Sequence, residues 1–166
     1  MSDIDNSSGG PGDKPRYLED FQVGERWVSN PTTVTEEEIV AYGLANDPQR
    51  MHTDPEWAKT GPFGGLVASG WQIAALSMRV FVQSGGYGKT PVIGMGIDEL
   101  RWRKPVRAGD VLTVEREVAE VTRSESQPDR GMIRTQVSVR NQTGDVVMTL
   151  QTLGRVPARP AAQASP

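Results

Sequence analysis

The sequence predicts a fold of the α+β class, in which an antiparallel sheet wraps around one long central helix. Two observations carry this prediction. Residues 68–83 form the most apolar stretch of the chain, and a helix that is apolar on nearly every side is expected to be enclosed by protein. Beyond Gly85 the pattern changes to long runs rich in valine, isoleucine and threonine, several of which alternate apolar and polar side chains as strands do.

Two shorter helices are predicted before the central one. Thr35 with Glu38 three residues later is a capping box, which starts a helix that ends at residues 46–48. A proline follows there, and the residue before a proline avoids the helical region. Asp54 is expected to cap a second, short helix over residues 55–59, whose first position is a proline.

The strands of the sheet are predicted from runs that are separated by turn clusters containing glycine, proline or both. Two short strands near the N-terminus should join four long ones, and the long ones should follow one another as a meander. The expected strands are residues 25–29, 32–34, 92–102, 111–122, 132–140 and 146–156. A sheet of this kind around one buried helix is the hot-dog fold, which is the fold that the sequence predicts.

The composition argues against several kinds of site. The chain has 166 residues, enough for one domain with its own core. It has no cysteine, which excludes disulfides, thiolate ligands and cysteine nucleophiles. Its single histidine argues against a zinc or iron centre, so no metal is expected. The net charge of −3 predicts no general attraction to nucleic acid or membranes.

The two ends of the chain are expected to be disordered tails, because residues 1–15 and 157–166 are rich in polar residues, glycine, proline and alanine and lack an apolar period. The predicted domain is therefore residues 16–156. Neither a secretory signal nor a membrane span is expected, since the N-terminal stretch has no apolar segment and polar residues interrupt the central one. The expected location is the cytoplasm.

Asp47 and His52 form the motif that points most directly to chemistry. They lie five residues apart on a segment that is expected to be irregular, because it is rich in turn-forming residues. An imidazole can take a proton from water near neutral pH, while a carboxylate can act as an acid or only orient the water. Glycine-rich residues 64–70 follow at the start of the central helix, where unpaired backbone N–H groups can bind a developing oxyanion.

Each of these residues also has a purely structural interpretation. His52 can bond to a loop backbone, and Asp47 can start an Asx turn before the proline. Gly65 is also suited to a backbone turn, and Ser69-Gly70 is equally the beginning of a helix. The residues alone leave these alternatives open.

Several segments, in order along the chain, resemble the MaoC-like dehydratases, a group that includes the (R)-specific enoyl-CoA hydratases. The most specific part is the Asp-x-x-x-x-His segment with the Gly-Gly and Ser-Gly pairs that follow it. The proline directly after Asp47 and the arginine at position 50 depart from the common Gly-Asp-x-Asn-Pro-x-His pattern. The segments are Phe21-x-Val23-Gly24, the helix start at Thr35, residues 47–54, residues 63–71 and Lys104-Pro105-Val106-x-x-Gly109-Asp110.

The resemblance implies reversible hydration or dehydration of an acyl thioester carried by coenzyme A or an acyl carrier protein. It implies that Asp47 and His52 activate the water, without metal or redox cofactor, and that the chain assembles as a homodimer or a larger homo-oligomer. The N–H of Gly70 would bind the thioester oxygen. Arg50, which has no counterpart in the common family pattern, is either an ordinary surface charge or a contact for the phosphates of the carrier. The predicted substrate contacts are Arg50, Gly65, Ser69 and Gly70.

Two other functions remain open at this point. One is a thioesterase, because the same fold also supports thioester hydrolysis. The other is a subunit that binds acyl thioesters without catalysis and keeps the motif as structure. A basic run is either a solvated face or the place where coenzyme A phosphates bind; it consists of Arg101, Arg103, Lys104 and Arg107.

Overall fold

A six-stranded antiparallel sheet and one long helix make up most of the structure, a computed structural model that describes residues 14–160. The hot-dog fold predicted from the sequence is confirmed. The helices are α1 (Glu36–Asn46), α2 (Arg50–Thr53), α3 (Pro55–Ala58) and α4 (Gly70–Gln83), preceded by a 3-10 turn at Leu18–Asp20. The strands are β1 (Arg26–Val28), β2 (Thr32–Thr33), β3 (Ile93–Trp102), β4 (Val111–Arg123), β5 (Arg130–Arg140) and β6 (Val146–Pro157).

The order of the strands differs from the predicted meander at one position. The sheet runs β1-β4-β5-β6-β3, with β2 paired to β4, so β3 lies beside β6 and not beside β4. Only the last three strands form a meander. The connection at residues 103–110 is longer than a usual hairpin loop, and it buries Val106 in the core while it crosses the end of the sheet. The prediction of four consecutive paired strands was therefore wrong for β3.

The first helix begins and ends as predicted. Thr35 Oγ1 accepts a hydrogen bond from the Glu38 N–H at 3.2 Å, and Glu38 Oε2 accepts one from the Thr35 N–H at 3.1 Å. The helix ends at Asn46, one residue before Asp47. The capping box predicted from the sequence is present, and Asp47 lies at the other end of the helix that it starts.

The central helix begins at Gly70, two residues later than predicted, and it is not enclosed on every side. Its inner residues Ile73 and Leu76 pack into the main core with apolar side chains of β4, β5 and β6. Trp71 and Val82 keep 54% and 51% of their surface exposed. In a single copy of the chain this flank of α4 is therefore open, although the sequence predicted a helix enclosed by protein.

The last strand continues slightly past the predicted domain boundary. Strand β6 runs to Pro157, and the N–H of buried Ala158 donates to the carbonyl of Asp129 at 2.7 Å. The rest of the predicted tails, residues 1–13 and 161–166, lies outside the described residues. Among the helices of residues 14–160, none has the length and the apolar character that crossing a bilayer requires.

Candidate functional site

Asp47 is the last residue of the turn that closes α1, and both oxygens of its carboxylate are held. Its backbone N–H donates to the carbonyl of Gly43 at 2.9 Å, which fixes the main chain. Oδ1 accepts a hydrogen bond from the Gln49 side-chain amide at 2.8 Å, and Oδ2 accepts one from the Ser69 hydroxyl at 2.7 Å. The carboxylate is therefore tied both to its own loop and to the start of α4.

His52 lies on α2, a single helical turn inside a segment that the sequence predicted to be irregular. That prediction was wrong because the chain, once past Pro48, restarts a helix in which the His52 N–H donates to the carbonyl of Gln49 at 2.8 Å. The turn packs closely on α1. A Cβ at Gly43 would lie only 2.8 Å from the His52 carbonyl oxygen, so the glycine allows α2 to approach.

The imidazole of His52 is buried and has two different neighbours. Its Nδ1 lies 2.7 Å from the carbonyl oxygen of Val67, which can only accept a hydrogen bond, so Nδ1 carries a proton. In the neutral ring, Nε2 then has the lone pair. Nε2 lies 3.4 Å from Asp47 Oδ2. The nitrogen that is able to accept a proton therefore faces the carboxylate.

Hydrogen bonding keeps Asp47 in its charged form. The bond from the Ser69 hydroxyl, then the bond from the Gln49 amide, and then the charge of nearby His52 lower the pKa of Asp47, against the opposing effect of burial. Asp47 is therefore an ionised carboxylate near neutral pH. A carboxylate in this state accepts hydrogen bonds and does not supply a proton.

These groups open on a cleft of about 390 Å³. Its far wall comes from β6 and from α4, with Met148 and Ile73 contributing apolar surface. Aromatic side chains stand at its mouth, where Trp71 and Trp102 make an edge-to-face contact with ring centres 5.3 Å apart. From the basic run, Arg103 and Lys104 line the cleft, while Arg101 and Arg107 lie outside it.

The start of α4 supplies a backbone donor to the same cleft. The first turn of a helix leaves its N–H groups without intrahelical partners. Gly70 is the first residue of α4 and lines the cleft, and within residues 14–160 no acceptor lies in reach of its N–H. A Cβ at Gly70 would overlap the Trp102 ring, so the close approach of this ring requires glycine.

Two of the predicted substrate contacts lie outside the cleft. Arg50 makes an ion pair with Asp54 at 2.8 Å, and Asp54 also caps α3. Gly65 lies beside Arg107, whose Nη1 would be 3.1 Å from a Cβ built there. The structure thus brings together Asp47, His52, Ser69 and Gly70, and it leaves Arg50, on α2, and Gly65, on the loop before α4, outside the cleft.

Sequence reasoning missed several residues of the cleft. Gln49 holds Asp47 Oδ1, and its amide two residues after the aspartate was the only local signal for this role. Trp102, Val147 and Met148 come from β3 and β6, far away in sequence, and no local pattern links them to the motif. Within residues 14–160 no group of three or more acidic, histidine or cysteine side chains is placed to hold a metal ion.

Comparison with known sequences gives a consistent family assignment. Residues 20–141 match the family model described as the MaoC like domain. The Bacillus subtilis protein YdeM, which is uncharacterized, is 31% identical over 128 residues, covering 75% of this chain and 87% of that protein. The 3-hydroxyacyl-thioester dehydratase Z of Mycobacterium tuberculosis is 36% identical over 91 residues, covering 53% of this chain and 58% of that protein.

Comparison with solved structures agrees with the sequence matches. The crystal structure of the MaoC-like dehydratase from Rhodospirillum rubrum superposes with a TM-score of 0.81 at 42% identity. It covers 88% of this chain and 99% of that one. The similarity thus extends through nearly all of the described sheet and helices.

Proposed function

Because the chain belongs to the MaoC-like dehydratase family, we propose that it catalyses the reversible hydration and dehydration of a 2-enoyl or 3-hydroxyacyl thioester. The observation that carries this proposal is the pairing of His52 Nε2 with Asp47 Oδ2 at 3.4 Å, beside the N–H of Gly70. A water molecule within hydrogen-bond reach of both side chains would face the β-carbon of a substrate whose thioester oxygen meets that N–H.

In the hydration direction, His52 acts as the base. Its Nε2 takes a proton from water while the water oxygen forms a bond to the β-carbon, and the electrons of the double bond move to the thioester oxygen. The imidazolium then returns the proton to the α-carbon, so that one water is added overall. Asp47, ionised at neutral pH, orients the water and stabilises the imidazolium, which favours the orienting role of the two left open by the sequence.

The enolate that forms between these steps carries its charge on the thioester oxygen. The Gly70 N–H at the start of α4 supports this charge, both as an unpaired donor and through the positive end of the helix dipole. Removing one comparable donor costs about 3 kcal/mol of transition-state stabilisation. The proposed base, His52, and the proposed oxyanion donor, the Gly70 N–H, thus line the same cleft.

The carrier of the acyl group is expected at the mouth of the cleft. Arg103 and Lys104 line it and are the cations placed to meet phosphate groups. Lys104 also makes an ion pair with Asp145 at 2.9 Å, so a phosphate would compete with this carboxylate. Arg50 on α2 and Gly65 on the loop before α4 lie outside the cleft, so their proposed contacts with the substrate are secondary.

The active form is proposed to be a homodimer or a larger homo-oligomer. Strand β3 is one edge of the sheet, and the exposed side chains of Ile93, Met95 and Ile97 lie along it. An edge strand presents unpaired N–H and C=O groups to another chain. A second copy on β3 would cover both this edge and the exposed flank of α4 that carries Val82.

The reaction type is tested with crotonyl-CoA and butyryl-CoA, the unsaturated and saturated thioesters of one length. The proposal expects loss of the enoyl absorbance with crotonyl-CoA and no thiol release from either compound. Thiol release from both would support a thioesterase instead. Binding of both without any turnover would support the non-catalytic subunit.

Assembly is tested by light scattering of the wild type, Ile97→Lys and Val23→Lys. Val23 is also an exposed apolar residue, at 67%, but lies outside the sheet, so it serves as the control. The wild type and Val23→Lys are expected at twice the mass of one chain or more, and Ile97→Lys at a lower mass. A wild type of single-chain mass would contradict the proposed assembly.

A further inference from the structure

Ser69 stands at the N-cap position of α4, but its hydroxyl does not cap the helix. An N-cap serine usually accepts a hydrogen bond from the N–H of the second or third helical residue. Here the third residue, Gln72, donates its N–H to the Ser69 backbone carbonyl at 3.0 Å. The hydroxyl donates instead to Asp47 Oδ2, 22 residues away in sequence.

We infer that Ser69 is a positioning residue, whose hydroxyl holds the Asp47 carboxylate against His52 and thereby leaves the start of α4 open to the thioester oxygen. This inference deepens the proposed function and rests on it. It also gives Ser69 a role different from the direct substrate contact expected from the sequence.

Ser69 holds the oxygen of Asp47 that faces His52. Asp47 Oδ2 accepts the Ser69 hydrogen bond and is also the oxygen that lies 3.4 Å from His52 Nε2. Gln49 holds the other oxygen, but its side chain is exposed, whereas Ser69 is completely buried. A buried hydroxyl has no water competing for its bond, so the Ser69 contact is the more rigid of the two.

The Ser69 hydroxyl also leaves the first turn of α4 uncapped. Within residues 14–160 neither the Gly70 nor the Trp71 N–H has an acceptor, and both residues line the cleft. A capping hydroxyl would occupy the space over this first turn. By turning to Asp47, Ser69 keeps that space available for a substrate oxygen. The Ser69 side chain thus both holds the Asp47 carboxylate and leaves the N–H groups at the start of α4 free for the substrate.

The charged groups around Asp47 are few, which makes its ionisation measurable. His52 faces it from α2, and Arg103 and Lys104 line the same cleft from the connection between β3 and β4. The first turn of α4 has no acidic residue. His52 is the single histidine of the chain, so its NMR signals are unambiguous and report when the neighbouring carboxylate takes up a proton.

The experiment follows the His52 ring signals down an acid titration in the wild type, Ser69→Ala, Ser69→Thr and Asp47→Asn. Protonation of Asp47 should appear as a step in the His52 signals at acidic pH. Asp47→Asn lacks this acidic step and so identifies it. Ser69→Ala should move that step to higher pH, since a hydrogen bond to the charged form is lost. Ser69→Thr keeps a hydroxyl and should keep the step near its wild-type position. In kinetics on crotonyl-CoA, Ser69→Ala should lower kcat roughly tenfold to a hundredfold with little change in KM.

Two results would overturn the inference. One is an acidic step in Ser69→Ala at the wild-type position, whatever the kinetics. The other is a raised KM with unchanged kcat, which is the sign of a direct substrate contact. A wild type that turns over no enoyl thioester would refute the proposed function, but the titration would still decide whether Ser69 controls Asp47. The two failures are therefore distinguishable.

Discussion

Two helices of this protein begin with a hydroxyl residue, and they use it differently. At α1, Thr35 Oγ1 accepts a hydrogen bond from the backbone of its own helix at 3.2 Å. At α4, Ser69 Oγ turns away from its helix and donates to Asp47 at 2.7 Å. The first arrangement stabilises a helix, and the second leaves a helix end uncapped next to an ionised carboxylate. The helix start at the proposed site is therefore the one whose hydroxyl residue does not cap it.

The largest expected effect comes from removing the proposed base, His52, near the start of α4. His52→Asn can still donate an amide N–H to the carbonyl of Val67, which now holds Nδ1, but it offers no proton acceptor. The turnover of crotonyl-CoA should fall by about 10²–10⁴-fold, the usual contribution of general base catalysis. Steady-state kinetics measure the loss, and a melting curve close to the wild type serves as the folding control. An active His52→Asn would refute the role of His52.

The next largest effect is expected from removing the hydroxyl groups of Thr35 and Ser69. Thr35→Ala should lower the free energy of unfolding by about 1 kcal/mol, because a used cap is lost, and should leave kcat unchanged. Ser69→Ala should lower kcat strongly. Denaturant titrations and kinetics on both variants provide the comparison. If Thr35→Ala is fully folded under the assay conditions and still loses kcat, the two helix starts do not differ in function as proposed.

The pH dependence of stability should also differ between the two ends. The pKa of Asp47 is lower in the folded protein than its ordinary value of about 3.9, so its hydrogen bonds contribute stability that is fully present above that value. This contribution is lost as the pH falls through the folded pKa. The stability difference between the wild type and Ser69→Ala should therefore shrink in strong acid.

The difference between the wild type and Thr35→Ala should stay nearly constant over the same pH range, because neither the threonine hydroxyl nor the backbone N–H that it binds titrates. The Glu38 carboxylate that accepts from the Thr35 N–H does titrate, but it is present in both proteins. Urea denaturation at a series of pH values measures both differences. A constant Ser69→Ala difference across the whole range would mean that the hydroxyl does not act through the charge of Asp47.

The smallest effect is expected at Gln49, the second partner of Asp47. Its amide holds Oδ1 at 2.8 Å, but the side chain is exposed and water can replace it. Gln49→Ala should lower kcat only severalfold, less than Ser69→Ala. Parallel kinetics on the two variants rank them. A larger loss in Gln49→Ala would place the main support of the carboxylate in the loop and not in α4.

The sequence predicted those features that depend on neighbours along the chain. Thr35 and Glu38 are three residues apart, and Asp54 caps the helix directly after it, so both helix starts could be predicted. The alternating runs predicted strands because side chains of a strand alternate between two faces. The Asp47 and His52 motif could be found because both residues lie on one short segment.

The features that the sequence did not predict depend on contacts between distant segments. Strand β3 pairs with β6 because of how the chain crosses the sheet, and no local pattern specifies this partner. The carbonyl of Val67, 15 residues away, accepts a hydrogen bond from His52 Nδ1 and so fixes which ring nitrogen carries the proton. Ser69 was interpreted as a helix start or a substrate contact, since only the fold brings Asp47 to its hydroxyl.

The central claim is that Asp47 and His52 act together on one water molecule. The most direct test is the rate of crotonyl-CoA hydration in Asp47→Asn, His52→Asn and the double variant. Because residues that act as a unit have non-additive effects, the double variant should be about as slow as the slower single variant. Losses that multiply in the double variant would mean that the two side chains act independently, and would contradict the claim.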